Sequence, residues 1–292
     1  MRYRFDALWP RRLKSSRIYD LHCHILPAID DGATDVEMAL EMARQAQADG
    51  IKIIACTPHI YPGMYENTAT GIREAIVKFQ AVLDEQGIDI KLVEGADVHV
   101  DPDVINGLKN DRIPSLNGSR YFLLEPPHHV APPNFEDNVF EIMVAGYIPL
   151  ITHPERLTWV ETHYDLFTRL SERGAWIQIT AGVLTGRYGR RTKYWGEKFI
   201  AEGHAMVLAS DAHHPQRRPL YLAEARDAAA KLVGDTEAEH MVVTRPRGVI
   251  DNVAPELLPP RLGATADFAP LVARHNKSQS GFFNRMLRGL RN

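Results

Sequence analysis

Seven short apolar runs alternate with helix-patterned stretches along this 292-residue chain, and six of the seven end on or just before a residue able to bind a metal ion. The runs are Ile18–His22, Ile51–Cys56, Ile90–Val98, Tyr121–Glu125, Ile148–Thr152, Ala175–Thr180 and Ala205–Ser210. Several are apolar on both faces, as parallel strands covered by helices must be. Helix patterns fill the gaps near 35–49, 71–86, 134–146, 163–173, 192–203 and 219–232. This alternation predicts a barrel-like α/β fold. An open, doubly wound sheet would need a glycine-rich phosphate loop after its first strand. The chain reads His22-Cys23-His24-Ile25-Leu26-Pro27 there and has none.

Local signals agree with the alternation. Thr34-Asp35-Val36-Glu37 has the spacing of a capping box, with Thr34 expected as the cap of the first helix. Gly50, Gly87, Gly174 and Gly203 sit where helices should stop before the next strand. The length suits one α/β barrel of about 250 residues. No apolar run reaches the roughly 18 residues of a membrane span. The basic start, residues 1–16, lacks the apolar stretch of a secretory signal, so the cytoplasm is the expected compartment.

Charge and cysteine use narrow the function classes. Residues 1–16 and 253–292 each carry a net +4, which leaves −11 for residues 17–252 of the chain's total of −3. So acidic a central segment is a poor nucleic-acid surface, although it suits a site that gathers cations. The two cysteines, Cys23 and Cys56, form no CxxC pair and fall inside expected buried strands. Cysteine phosphatases place an arginine six positions after the nucleophile. Here those positions hold Ile29 and Pro62.

The candidate ligands are His22-Cys23-His24, Asp30-Asp31-Gly32, His59, Asp97, Glu125, His153 and Asp211-Ala212-His213. Alternate residues of a strand share a face, so His22 and His24 project together, about 7 Å apart along the chain, while Cys23 turns away. Asp211 and His213 repeat that spacing near the last strand. In a closed barrel the first and last strands are neighbours, and the two pairs would face one site. Mixed imidazole and carboxylate donors suit manganese, iron or zinc. Arg156 follows His153 by three residues and Arg218 follows His213 by five, within reach of a phosphate held there. Arg217 is adjacent, and spacing alone does not choose between it and Arg218. His128 and His129 are expected near the substrate entrance, and His99 and His214 beside the ligands, each more simply read as solvated or capping.

With these residues in view, the chain resembles the polymerase and histidinol phosphatase (PHP) superfamily, and within it the bacterial manganese-dependent protein tyrosine phosphatases of capsule and exopolysaccharide synthesis. YDLHCHILPAIDDGATD, IIACTPHIYPGMY, ITHPERL, AGVLTGRYGRRTKYWGEKFIAEG and LASDAHHPQRRP carry the resemblance, which spans about residues 17–252. It implies a distorted (β/α)7 barrel in one domain, flanked by a basic segment at 1–16 and an extension at 253–292. It implies three divalent metal ions, manganese in that family, held by His22, His24, Asp31, His59, Asp97, Glu125, His153, Asp211 and His213. Asp97 stands where the family usually has glutamate. Phosphate-binding roles are implied for Arg156 and, from its Arg-Pro pair, Arg218.

The expected reaction is hydrolysis of phosphotyrosine by a metal-activated hydroxide, and the resemblance implies a tyrosine autokinase as substrate. The competing readings are a phosphatase of a small ester such as histidinol phosphate and a catalytically idle regulatory barrel. In the C-terminal extension, Phe282, Phe283, Met286, Leu287 and Leu290 share a helical face, with Arg285, Arg288 and Arg291 elsewhere. Such a segment would suit an anionic membrane surface or a partner, or packing on its own domain.

Overall fold

The computed structural model describes residues 17–263. Ten strands form two hydrogen-bonded sheets. The first joins β1 (Ile18–Cys23), β2 (Ile51–Cys56) and β5 (Lys91–Glu94), in that order. The second runs β10 (Val207–Ala209), β9 (Trp176–Thr180), β8 (Ile148–Thr152), β7 (Tyr121–Glu125), β6 (Asp97–His99), β3 (His59–Tyr61) and β4 (Tyr65–Glu66). All pairings are parallel except the β3–β4 hairpin.

The two sheets are one barrel divided by two bends. β2 continues into β3 through Thr57-Pro58, and β5 continues into β6 through Gly95-Ala96. β2 pairs with β5 below the bends and β3 pairs with β6 above them. Each bent pair is therefore one stave, and the staves number seven. The ring closes between the first and the last: Cys23 bridges Ala212, the Asp211 amide donates to His22 O at 2.8 Å and the His24 amide to Ala212 O at 2.9 Å. The result is a distorted (β/α)7 barrel. The expected single strand over Ile90–Val98 is the one that bends, and its two halves lie in different sheets.

Helices α1 (Val36–Ala48), α2 (Ala69–Glu85), α3 (Val104–Lys109), α4 (Phe135–Val144), α5 (Val160–Arg173), α6 (Ala181–Leu184), α7 (Gly189–Ala201), α8 (Ala223–Val233), α9 (Asp235–Glu239) and α10 (Arg245–Ile250) surround the barrel. The cap of α1 is Asp35, whose carboxylate accepts from the Met38 amide at 2.8 Å. Thr34 instead donates to Asp35, so the helix cap lies one residue later than the sequence spacing suggests and pairs with Met38 rather than a glutamate.

Alternation along the strands separates two apolar layers. On β7 and β9, Phe122, Leu124, Ile177 and Ile179 pack outward with the helices. Tyr121, Leu123 and Trp176 turn inward, with the Tyr121 and Trp176 rings 5.0 Å apart. Val249 and Ile250 of α10, with Leu258, join this inner cluster at the N-terminal end of the strands. The segment after Asn252 packs on the barrel as far as it is described. Val253 O accepts from the Tyr121 hydroxyl, and the fully buried Arg245 donates to Pro259 O, Pro260 O, Met206 O and Glu237. The amphipathic stretch 282–291 and the basic segment 1–16 lie outside the described residues. No described helix is long and apolar enough to cross a membrane.

Candidate metal centre and phosphate site

The C-terminal ends of the staves gather all nine candidate ligands. His22 and His24 share a face of β1, with their Nε2 atoms 3.1 Å apart. Cys23 points the other way, its thiol toward Ala212 O. The loop after His24 folds back on it, and a Cβ at Gly32 would lie 2.1 Å from His24 O, so only glycine fits there. That return delivers Asp31, whose Oδ1 sits 3.4 Å from His59 Nε2 and 3.3 Å from His213 Nε2. Asp97 Oδ2 lies 3.3 Å from His22 Nε2 and 3.6 Å from His59 Nδ1. Glu125 reaches His59 Nδ1 at 3.5 Å and His153 Nε2 at 3.5 Å. Asp211 Oδ1 lies 3.4 Å from His22 Nε2, 3.6 Å from His24 Nε2 and 3.6 Å from His213 Nδ1.

Two of these positions are held in strained backbone. His153 has φ of 36° and Asp211 has φ of 51°, in the left-handed region that L-residues other than glycine seldom occupy. Both immediately follow a barrel strand or its last residues, where the turn aims the side chain into the site.

Supporting contacts fix the ring orientations. Gln178 Oε1 accepts from His22 Nδ1 at 2.9 Å, and Asp30 Oδ2 accepts from His24 Nδ1 at 2.7 Å. Each bond turns the Nε2 lone pair of its histidine toward the centre. Asp30 also accepts from the His59 and Gly32 amides, so one carboxylate ties the first loop to the second stave. Asp30 stands among the candidates only within the Asp30-Asp31-Gly32 motif, next to the ligand position Asp31, and the sequence gives Gln178 and Asp20 no role. A polar Gln178 within the apolar Trp176–Thr180 run was the available signal for one of them.

Electrostatics follow from burial and crowding. Burial pushes the His153 imidazole well below its ordinary value, with Arg156 adding to the effect, so it stays neutral as a metal ligand must. Burial favours the neutral acid at Asp211, but Arg218 and Arg156 outweigh it and hold that carboxyl well below its usual range. Asp31 is likewise low, because His213, His59 and His24 outweigh its burial. Burial presses His22 downward, while Asp97 and Asp211 lift it to about 9.

The donors fit divalent cations. Five overlapping sets have ligand atoms within 4.8 Å of one another: His24, Asp31, His59 and His213; His22, His24 and Asp211; His22, Asp97 and His153; His59, Asp97 and Glu125; Glu125, His128 and His153. Both carboxylate oxygens of Asp97 and the Nδ1 atoms of His59 and His153 are buried without a hydrogen-bond partner. Such unmatched groups cost about 1–3 kcal/mol each, more when charged. Coordination of a cation relieves that cost for the Asp97 carboxylate.

Arg156, in the turn after β8, and Arg218 both donate to Asp211 Oδ2, the latter at 2.6 Å. They line an open cavity of about 430 Å³ together with Asp31, His59, Glu125 and His153. Tyr61, Met64 and Tyr65 of the β3–β4 hairpin form one part of its wall, and Pro126–Val130 another. Tyr61 stacks on His99 at 3.9 Å, which accounts for His99 as a support of that wall. His128 lines the cavity with His129 and comes within 3.4 Å of Glu125, closer to the donors than a solvated histidine would be. His214 Nδ1 accepts from the Gln216 amide, the capping role expected of it.

Comparison with known proteins places this geometry. Residues 18–251 match the family described as "Capsular polysaccharide synthesis, CpsB/CapC". The chain is 34% identical over 233 residues to the tyrosine-protein phosphatase YwqE of Bacillus subtilis (strain 168), covering 80% of this chain and 91% of that protein. It is 33% identical over 203 residues to the putative tyrosine-protein phosphatase CapC of Staphylococcus aureus, covering 70% and 80% of the two chains. With the tyrosine-protein phosphatase CpsB of Streptococcus pneumoniae the identity is 28% over 241 residues, covering 79% and 97%. Among solved structures, a chain from the crystal structures of YwqE and CpsB, described as unique metal-dependent tyrosine phosphatases, superposes with a TM-score of 0.78. It is 33% identical and covers 81% of this chain and 96% of its own.

Proposed function

The chain belongs to the CpsB/CapC family of capsular polysaccharide synthesis, and from that membership and the site we infer that it is a metal-dependent protein tyrosine phosphatase. The observation that carries the site assignment is the packing of nine nitrogen- and oxygen-donor residues at ligand spacing, six of which line one cavity with two arginines. We assign His24, Asp31, His59 and His213 to one ion. His22, Asp97 and His153 serve a second, with Asp211 beside His22 and His24, and Glu125, with His59 and Asp97, a third. Three ions and manganese as the working metal are our reading, supported by the overlapping donor sets and their mixed imidazole–carboxylate chemistry.

Divalent cations bound there would polarise phosphoryl oxygens and make a water acidic enough to attack at neutral pH. The chain's own groups do the rest. Arg156 and Arg218 grip the equatorial oxygens of the phosphoryl group with charge-assisted hydrogen bonds, exchanging Asp211 Oδ2 for substrate. Asp30 and Gln178 keep the first two histidines turned inward. Tyr61, Met64 and Tyr65 give the phenyl ring an apolar wall. A tyrosine phenolate, with a pKa of about 10, leaves without a strong general acid.

We take the physiological substrate to be a tyrosine autokinase of polysaccharide export and the site of action to be the cytoplasm, readings that rest on the family. The test is phosphate release from a phosphotyrosine peptide with and without manganese, for the wild type and for His22→Ala and Arg156→Ala. Strong manganese-dependent release, lost in both variants, supports the assignment. Folded, manganese-loaded protein that spares the peptide but hydrolyses histidinol phosphate would overturn it.

A further inference from the structure

Tyr188 touches Arg156 of the site without lining the cavity. Its ring lies against the Arg156 guanidinium, 5.1 Å from Cζ to the ring centroid. No other described aromatic ring makes a cation–π contact with that arginine.

The surroundings hold Tyr188 firmly. It ends the turn between α6 and α7, where the Arg187 amide donates to Gly182 O at 3.0 Å and Tyr188 O accepts from Thr192 Oγ1 at 2.6 Å. Behind the ring, a Cβ at Gly182 would come within 2.9 Å of Tyr188 Cε2, so the ring rests directly on glycine backbone. Arg191, in the first turn of α7, donates to Leu157 O and Thr158 O, just after Arg156. The turn that carries Tyr188 and the turn that carries Arg156 are thereby tied together.

We propose that Tyr188 is a positioning residue that keeps Arg156 in phosphate-binding posture. The proposal rests on the assignment of that arginine to the substrate phosphate. Long arginine side chains lose rotamer freedom when fixed, and a group that fixes them beforehand lowers what phosphate binding must supply. Asp211 Oδ2 restrains both guanidinia only until substrate oxygens replace it. The ring restrains Arg156 before and after that exchange, because it contacts a face of the guanidinium and leaves the hydrogen-bonding edge free.

The experiment uses the full-length, manganese-loaded enzyme and reads two constants: KM for a phosphotyrosine peptide and the competitive inhibition constant of inorganic phosphate. Tyr188→Leu keeps apolar bulk and drops the aromatic face, and should raise both constants by about tenfold. Tyr188→Phe keeps the face, and should stay within about threefold of wild type. Gly182→Ala, which leaves Tyr188 intact but pushes its ring, should shift both constants in the same direction as Tyr188→Leu. In an Arg156→Ala background, Tyr188→Leu should change the phosphate constant by less than about twofold, since its partner is already gone. An equal effect of Tyr188→Leu with and without Arg156, or a loss of kcat at unchanged phosphate affinity, overturns the proposal alone. If Arg156→Ala does not weaken phosphate, the arginine assignment falls and takes the proposal with it.

Discussion

Ser210 and Asp20 clasp the seam of the barrel. The Ser210 hydroxyl donates to Asp20 Oδ2, and the Ser210 and His22 amides donate to Asp20 Oδ1 at 3.0 and 3.3 Å. Asp20 is fully buried, and burial lifts its carboxyl to about 6 against the pull of these bonds. The clasp lies one residue before Asp211 and two before His22, so it sets the distance between ligands on the first and last staves. Asp20→Ala strands buried donors and opens a cavity, and should cost about 3 kcal/mol of stability. Urea unfolding of the two proteins measures it. A loss below about 0.5 kcal/mol, the level of an ordinary surface change, would show that the seam closes without the clasp.

Asp30 supports two staves without being assigned to a cation. It accepts from His24 Nδ1 and from the His59 amide. Removing a supporting partner of a ligating histidine typically costs 10–100-fold in metal affinity. Asp30→Ala should therefore raise the manganese concentration for half-maximal activity by about that factor, with activity recovered at saturating manganese. Loss that excess manganese does not restore would mean that Asp30 does more than orient.

The fold was largely legible because its cause is local. Most apolar runs close at a polar strand end, β/α alternation implies a parallel sheet covered by helices, and the missing glycine-rich loop after the first strand favours the barrel over an open sheet. The nine donors converge because strand ends on one barrel face must. What escaped the sequence depends on distant pairings. Gln178 meets His22 across 156 residues and Ser210 meets Asp20 across 190, with no local spacing to announce either. The bend at Gly95-Ala96 is marked in the sequence only by a lone glycine within Ile90–Val98, and nothing local says that the two halves pair in different sheets. Glu94, three residues before Asp97, turns outward to Arg73 at 2.5 Å.

Asp97 tests whether a shorter carboxylate suffices where the resemblance expects glutamate. It is almost wholly buried, and Oδ2 already lies 3.3 Å from His22 and 3.6 Å from His59. The carboxylate thus reaches two donor sets without an extra methylene. Asp97→Asn keeps the shape and removes the charge, and should lower manganese-dependent kcat/KM by more than the 10–100-fold typical of a supporting residue. Asp97→Glu must fit added volume into a closed position, and overpacking of that kind costs about 1–3 kcal/mol. It should be less active and less stable than wild type. A glutamate variant that matched or exceeded wild type in both assays would mean that the neighbouring staves yield to the longer side chain.

His240 makes the stability of the barrel depend on acidity away from the site. Its Nδ1 is buried without a partner, and burial, reinforced by the positive charge of Arg245, lowers the imidazole to about 4. In the unfolded chain a histidine titrates near 6.5. Between those values the unfolded chain binds a proton that the folded chain does not, so stability falls as pH drops through about 6.5 toward 4. The loss attributable to His240 between pH 7 and pH 5, allowing for its partial exposure, is about 1 kcal/mol. Other buried histidines, His153 among them, shift in the same direction, so the informative quantity is a difference between variants. His240→Gln cannot take up the proton, and its denaturation free energy should decline less between pH 7 and pH 5 than that of wild type, by roughly that amount. Parallel declines in the two proteins would mean that His240 is protonated in the folded state at pH 5 and that Arg245 and the surrounding apolar groups do not exclude the charge.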